Sequence, residues 1–212
     1  MAAGTPMSLV EGAVVPALRP VGHDRAQQVR EAAFTALARW MGHDAPSTSP
    51  AAAAAAGEGD GAGVGAQAAP RDARAYVPSL LPLLLIGVSD PQPGTAELAL
   101  RLVEGVGAAW AAAEDAASAS TSAEAGGAAA EELALRVAAC SLGAPYGGRP
   151  GDGARRMVRA LLTEQLPPLV KGLSEWTAGL RVAAARGLHT SLVLAEDGAA
   201  AHLKQLLPAL CR

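Results

Sequence analysis

Aromatic side chains are scarce in this sequence: they make up 3% of the 212 residues, with a single phenylalanine. Half of the residues are nevertheless apolar, so the core has to be built from leucine, valine and alanine. Such residues suit closely packed helices better than a sheet, which favours aromatic and β-branched side chains. The composition therefore predicts an all-α protein.

Lysine and cysteine are equally rare. The chain has two lysines beside fifteen arginines, and its net charge is −3, so it lacks the basic field that nucleic-acid binding requires. Cys140 and Cys211 are far apart and belong to no paired motif, which predicts free thiols in a reducing compartment. The longest strongly apolar run, Leu80 to Val88, has nine residues, whereas a membrane span needs about 20. We expect a soluble cytoplasmic protein that does not enter a membrane.

Catalytic patterns are also missing. The sequence has neither HExxH nor CxxC spacing, so it predicts no metal site. Ser191 lies near His189, but no G-x-S-x-G elbow surrounds it. The glycine-rich residues 61–65 carry no following Lys-Ser/Thr and belong to no strand–helix unit, which excludes a phosphate loop. The sequence predicts no enzyme, no cofactor and no small-molecule substrate.

What the sequence does contain is a repeated helical pattern, clearest in LLPLLLIGVSD at residues 80–90. Apolar residues recur there at helical spacing from Val77 to Val88, and Ser89-Asp90-Pro91 ends the helix. The segment LLPLLLIGVSD contains Pro82, and similar segments surround Pro16, Pro167 and Pro208, so that four such prolines occur along the chain. Acidic residues follow eight positions after the first three prolines, at Asp24, Asp90 and Glu175, and Arg30 and Arg181 lie fourteen positions after Pro16 and Pro167.

The intervals between these prolines are 66, 85 and 41 residues. The shortest falls in the range of about 40–47 residues that is typical of HEAT and armadillo units. The longer intervals predict two low-complexity, disordered insertions into a HEAT/armadillo-type α-solenoid of antiparallel helix pairs. The predicted divisions are 7–43, the first pair; 44–75, an insertion; 76–114, the second pair; 115–153, an insertion with a short helix near 131–142; 154–196, the third pair; and 197–212, the first helix of an incomplete fourth pair.

Several local expectations follow. Asp24 is predicted to cap the helix that follows it, and Pro167-Pro168 to kink or split theirs. Gly105 and Gly107 are expected to let a neighbouring helix approach closely. The arginines at 149, 155, 156 and 159 favour a solvated helix face over an anion site. The apolar residues of the last helix are expected to lack a partner and form an exposed patch; they are Leu203, Leu206, Leu207 and Leu210.

Two residues of the third pair are candidates for protein binding. Trp176 lies in the turn between its helices, where it is either a buried staple between pairs or an exposed anchor for a partner. Arg181 occupies the same repeat position as Arg30. For both arginines the alternative to recognition is a structural pairing with an acidic turn residue of the same or the adjacent pair.

Residues 176–210 also resemble a known family. The segments LLPLLLIGVSDPQPGTAELALRLVEGVG and HDRAQQVREAAFTALARW resemble HEAT repeats in general. The stretch WTAGLRVAAARGLHTSLVLAEDGAAAHLKQLLPAL resembles, more specifically, the dynein axonemal assembly factor 5 family. The matching residues are Trp176, Gly179, Arg181, Val182, Leu188, Leu192, Ala195, Glu196, Asp197, His202, Leu203 and Leu210.

The resemblance implies a non-catalytic scaffold or co-chaperone in the cytoplasmic preassembly of outer and inner dynein arms. It implies axonemal dynein chains, in particular intermediate chains, and chaperones as partners. Because the chain is much shorter than the family pattern and ends within a repeat, the resemblance also implies a fragment. The alternative is a tubulin-binding HEAT array of the TOG type, favoured by Trp176 and Arg181 at a helix–helix turn and disfavoured by the scarcity of lysine.

Overall fold

The computed structural model describes residues 6–43, 73–118 and 142–211, and within these ranges the chain forms helices and no strands. The predicted all-α class is therefore confirmed. Most of the two predicted insertions, and the short helix near 131–142, lie outside the described residues. The helices are α1 (Met7–Leu9), α2 (Val15–Val21), α3 (Gln27–Trp40), α4 (Ala73–Gly87), α5 (Pro93–Ser118), α6 (Asp152–Gly172), α7 (Ala178–Ala195) and α8 (Leu203–Leu210).

Two irregular segments join these helices. A π-helical segment, Val10–Val14, connects α1 to α2, so residues 7–21 form one continuous helical rod. A 3₁₀ helix, Glu196–His202, connects α7 to α8. The first pair is thus the rod with α3, the second pair is α4 with α5, and the third pair is α6 with α7. We name their connections turn 1 (residues 22–26), turn 2 (residues 88–92) and turn 3 (residues 173–177).

Helix α4, which contains most of the LLPLLLIGVSD stretch, is the centre of the core. Leu80, Leu81, Leu84, Leu85 and Val88 are each 0% exposed, as the helical spacing predicts. Burying one such side chain contributes about 1.5–3 kcal/mol, so this segment contributes substantially to the stability of the core. α4 packs against α2, α3, α5, α6 and α7. Among the described residues, no helix is long and apolar enough to cross a bilayer.

Asp24 does not cap the helix that follows it, contrary to the prediction, and Asp90 of turn 2 behaves as Asp24 does. Asp24 Oδ1 accepts a hydrogen bond from the Ala26 N–H at 2.8 Å, and α3 begins one residue later without a side-chain cap. Asp90 Oδ1 accepts from the Gln92 N–H at 2.8 Å in the same way. An aspartate that bonds the backbone two residues on closes a turn, so Asp24 and Asp90 both close the turns in which they lie.

The first two pairs stack in register, whereas the third pair is reversed. α4 packs on α2 and α5 packs on α3, so first helices meet first helices and second helices meet second helices. In the third pair α6 packs mainly on α5, and α7 packs on α4. Gly107 of α5 makes this reversal possible, because a Cβ there would overlap the backbone of Gly153 and Ala154. The predicted close approach of a neighbouring helix at Gly107 is confirmed.

Pro167 and Pro168 do not split their helix. α6 is continuous from Asp152 to Gly172, although both prolines lack the N–H that would bond to the carbonyls of Thr163 and Glu164. All four residues lie on the exposed side of α6, where water can satisfy those carbonyls. The opposite side is buried against α5 and α7, and this packing holds the helix together.

Candidate protein-binding site

Turn 3 and the first turn of α7 form a bare surface. Residues 174–182 are all exposed, and Trp176 is 93% exposed. Leu180 and Val182 are 44% and 48% exposed. Trp176 is therefore not a buried staple among the described helix pairs, and its side chain stands in solvent. A tryptophan flanked by aliphatic side chains on a free surface has the composition of a protein-binding hot spot.

Arg181 stabilises the backbone of turn 3 by hydrogen bonds within the third helix pair. Its Nη1 donates hydrogen bonds to the carbonyl oxygens of Glu175 and Trp176, each at 2.9 Å. These bonds fix the course of turn 3 and so fix where Trp176 projects. Nε and Nη2 of Arg181 have no partner among the described residues, which leaves one edge of the guanidinium free.

Arg30, at the equivalent repeat position, uses both edges of its guanidinium group. Its Nη1 donates to the Asp24 carbonyl oxygen at 2.7 Å, as Arg181 does in turn 3. Its Nε and Nη2 then bind the Asp90 carboxylate of the second pair at 2.7 and 2.9 Å. Both side chains are buried, 8% and 5% exposed, and the hydrogen bond that Arg30 donates to Asp90 raises the pKa of Arg30. We call this contact the Arg30–Asp90 clasp. The structural pairing is thus present for Arg30.

A cleft lies between turn 1 and the N-terminal half of α7. Its volume is about 430 Å³. His23 lies on one wall and Arg186 on the other, and no carboxylate lines it. Partial burial, Arg186 and Arg30 lower the pKa of His23, while Asp90 acts in the opposite direction. The lining residues are His23, Thr177, Ala178, Gly179, Leu180, Val182, Ala183 and Arg186.

The arginine cluster of the sequence is an ion-pair network and not a solvated face. Arg149 Nε and Nη2 bind the Glu196 carboxylate at 2.7 Å each. Arg155 and Arg159 bind the same carboxylate at 3.2 and 2.9 Å. Hydrogen bonding to Arg149 and the nearby guanidinium charges lower the pKa of Glu196 against the opposing effect of burial. The network ties the segment before α6 to the end of α7, so these arginines are not free to hold an external anion.

Arg156, on the other side of α6, forms ion pairs with acidic residues of α5. It binds Glu114 and Asp115 of α5 at 3.2 and 2.8 Å, and this hydrogen bond lowers the pKa of Asp115. The contact joins the second pair to the third. The sequence carried no signal for it, because the partners lie more than forty residues apart.

A second cavity, of about 310 Å³, lies beside turn 2 and contains Asp90, Glu97, His189 and Tyr146. Asp90 is held in the clasp, and burial raises the pKa of Tyr146, so the phenol stays protonated. Among the described residues no group of three His, Cys, Asp or Glu side chains could hold a metal ion. This cavity offers no nucleophile–base pair.

The last helix differs from expectation at one residue. Leu203, Leu207 and Leu210 are 48%, 55% and 56% exposed, but Leu206 is only 2% exposed. Leu206 belongs to the main core, because the 3₁₀ helix turns α8 so that one side faces the third pair. The exposed patch therefore consists of three leucines and not four.

Comparisons with known proteins match this region. Residues 143–212 match the HEAT-repeat domain of dynein axonemal assembly factor 5. The mouse, human and Xenopus laevis proteins of that name are 31%, 30% and 28% identical over 144 residues. Each alignment covers 66% of this chain, and the chain spans 15% of the relative's length. No solved structure matches. The helix pairs and the matched domain together show a HEAT-repeat fold, and over residues 143–212 the chain is similar to the HEAT-repeat domain of dynein axonemal assembly factor 5.

Proposed function

We propose that this chain is a non-catalytic, protein-binding scaffold or co-chaperone in the cytoplasmic preassembly of outer and inner axonemal dynein arms. Its partners in this proposal are dynein intermediate chains and chaperones. The relatives' name supports the assembly role. One structural observation supports binding: the exposed surface of Trp176 and Arg181 lies inside the matched domain.

The physical case for this surface is that it is organised before a partner arrives. Arg181 holds two carbonyls of turn 3, so Trp176 projects from a fixed backbone. Pre-organisation lowers the entropy lost on binding. A partner that buries the indole ring together with Leu180 would therefore gain the apolar contact without first ordering the turn.

Affinity capture from ciliated-cell cytosol tests this proposal. Tagged chain should retain axonemal dynein intermediate chains or chaperones, and Trp176→Ala should retain much less, because truncation of a hot-spot tryptophan costs about 2 kcal/mol or more. Trp40→Ala, at a 39% exposed tryptophan outside the matched domain, is the matched control. Retention of neither class of partner by the unsubstituted chain would contradict the proposal.

The exposed tryptophan beside an arginine at a helix–helix turn also fits the alternative, a TOG-type tubulin-binding array. Co-sedimentation with tubulin separates the two. Tubulin binding that Trp176→Ala abolishes would favour the array, and no co-sedimentation would leave the dynein-arm scaffold as the function. The net charge of −3 and the two lysines weigh against the array, because tubulin's surface is acidic.

A further inference from the structure

Residues 143–151, which lead into α6, cross the molecule without forming a helix. We call this segment the strap. Tyr146 packs against the core and lies beside the Thr190 hydroxyl of α7. Further along, Arg149 binds Glu196 at the end of α7. The strap therefore covers the seam between turn 2 and α7.

Packing holds the strap only weakly. A Cβ at Gly143, Gly147 or Gly148 would meet no described atom within 4 Å, so the backbone touches little at these positions. Among the strap side chains, Pro150 is buried and Tyr146 is half-buried. The second cavity, of about 310 Å³, lies between the strap and turn 2. Such a gap removes dispersion contacts between its walls, so apolar packing contributes less here than where helices meet.

The stronger attachment of the strap is ionic. Arg149 Nε and Nη2 each lie 2.7 Å from an oxygen of the Glu196 carboxylate. The two side chains are 23% and 18% exposed, whereas those of the Arg30–Asp90 clasp are 8% and 5% exposed. Water and dissolved ions reach the strap's ion pair more easily than the clasp, so added salt should weaken it.

Glu196 is arranged so that Arg149 can leave. Arg155 and Arg159 bind the same carboxylate at 3.2 and 2.9 Å, so Glu196 keeps two partners when the strap lifts. Breaking a buried ion pair is costly because the remaining charge loses its only partner, and that penalty is absent here. Arg149 itself passes into water. The open position of the strap therefore lacks few of the interactions that the closed position makes.

We propose that the strap is a releasable cover. The Arg149–Glu196 pair closes it over the seam between turn 2 and α7, and loss of that pair lifts it and opens the second cavity to solvent. This conformational device lies outside the scaffold function proposed above and does not depend on it.

Limited proteolysis of the full chain with chymotrypsin tests the proposal, because three aromatic residues report on different events. Cleavage after Tyr146 requires the strap to open. Cleavage after Trp176, which is 93% exposed, requires no opening, and cleavage after Phe34, which is 1% exposed, requires the core to unfold. Arg149→Gln should raise the initial rate of cleavage after Tyr146, relative to Trp176, about ten-fold, with cleavage after Phe34 unchanged. Arg39→Gln, at an exposed arginine of α3, is the control and should behave as the parent does.

Salt and a peptide control complete the test. Raising NaCl to about 1 M should increase the ratio of Tyr146 to Trp176 cleavage several-fold in the parent and leave it unchanged in Arg149→Gln. A peptide of residues 141–152, with and without the substitution, corrects for the preference of the protease, because Arg149 lies close to the cleaved bond. An unchanged corrected ratio in Arg149→Gln overturns the proposal. So does cleavage after Phe34 that rises as much as cleavage after Tyr146, or a salt response that persists in the variant.

Discussion

The Arg30–Asp90 clasp allows a quantitative prediction about what holds the first pair to the second. The perturbation is Asp90→Asn, which keeps the size of the side chain and an oxygen for the Gln92 N–H. It removes the negative charge and places either an amide N–H or a neutral oxygen against each nitrogen of the guanidinium. Arg30, which is 8% exposed in the parent, then loses its bidentate carboxylate partner.

Removing one partner of a buried ion pair costs about 3–5 kcal/mol, because the remaining charge stays desolvated. The two bonds, at 2.7 and 2.9 Å, are short and bidentate, which favours the upper part of that range. The Asn Oδ1 retains one neutral hydrogen bond, which favours the lower part. We therefore expect a loss of about 3 kcal/mol, a large fraction of the 5–15 kcal/mol by which domains are usually stable.

Urea unfolding followed by circular dichroism measures this loss in the full chain. The midpoint should fall, with the slope of free energy against urea unchanged. Glu97→Gln is the matched control, since Glu97 is exposed on α5, and it should shift stability by less than about 0.5 kcal/mol. In a double-mutant cycle, Arg30→Met should recover part of the loss in the Asp90→Asn background. A loss below about 1 kcal/mol in Asp90→Asn, or strict additivity of the Arg30→Met and Asp90→Asn effects, would show that the clasp does not hold the first pair to the second.

Four further predictions concern stability in the same unfolding assay. Glu196→Gln should lower the free energy of unfolding by about 2 kcal/mol at neutral pH, because three arginines share its carboxylate. The difference in stability between the parent and the variant should vanish as pH falls through the lowered pKa of Glu196. A difference that persists in acid would contradict this. Gln165→Met should stabilise the chain by about 1–2 kcal/mol, because Gln165 is 1% exposed and neither polar atom of its amide has a hydrogen-bond partner among the described residues. Destabilisation would contradict this. The parent should lose stability as pH falls through about 6.5, since the pKa of His23 is lower in the folded state than in the unfolded state and the unfolded state then binds the extra proton. His23→Gln should show a smaller loss over that range, and an identical pH profile would exclude His23. Gly107→Ala should cost about 1–3 kcal/mol, because a Cβ overlaps the backbone of Ala154; unchanged stability would mean that α5 and α6 separate freely.

The sequence predicts the helices better than it predicts how they pack. The run from Leu80 to Val88 has a strong helical period, so the core helix could be read directly. Asp24 shows where local sequence no longer decides the structure. Its distance from α3 along the chain is compatible with a helix cap or with a turn closure, and a shift of one residue in the start of α3 changes one into the other. Pro167 and Pro168 were expected to kink or split α6. The helix is not split, because the outcome depends on whether the freed carbonyls can reach water, which is a tertiary property.

Long-range placement accounts for most of what the sequence did not predict. The third pair reverses because Gly107 and Gly153 allow backbone contact, and no periodicity encodes which helices meet there. The shared role of Glu196 was equally hidden, since Arg149 lies 47 residues away. For the candidate site, repeat position identified Arg181 and turn position identified Trp176, but the exposure of α7 emerges only from the packing.

Quantitative affinity capture from ciliated-cell cytosol tests most directly whether the exposed surface of turn 3 and the first turn of α7 is where this chain binds its partners. Mass spectrometry would compare the parent with Trp176→Ala, Arg181→Gln and the control Arg39→Gln, each verified as folded. The parent and Arg39→Gln should retain the same axonemal dynein chains or chaperones, whereas Trp176→Ala and Arg181→Gln should lose them. Undiminished retention by both of these variants would contradict the proposed binding surface.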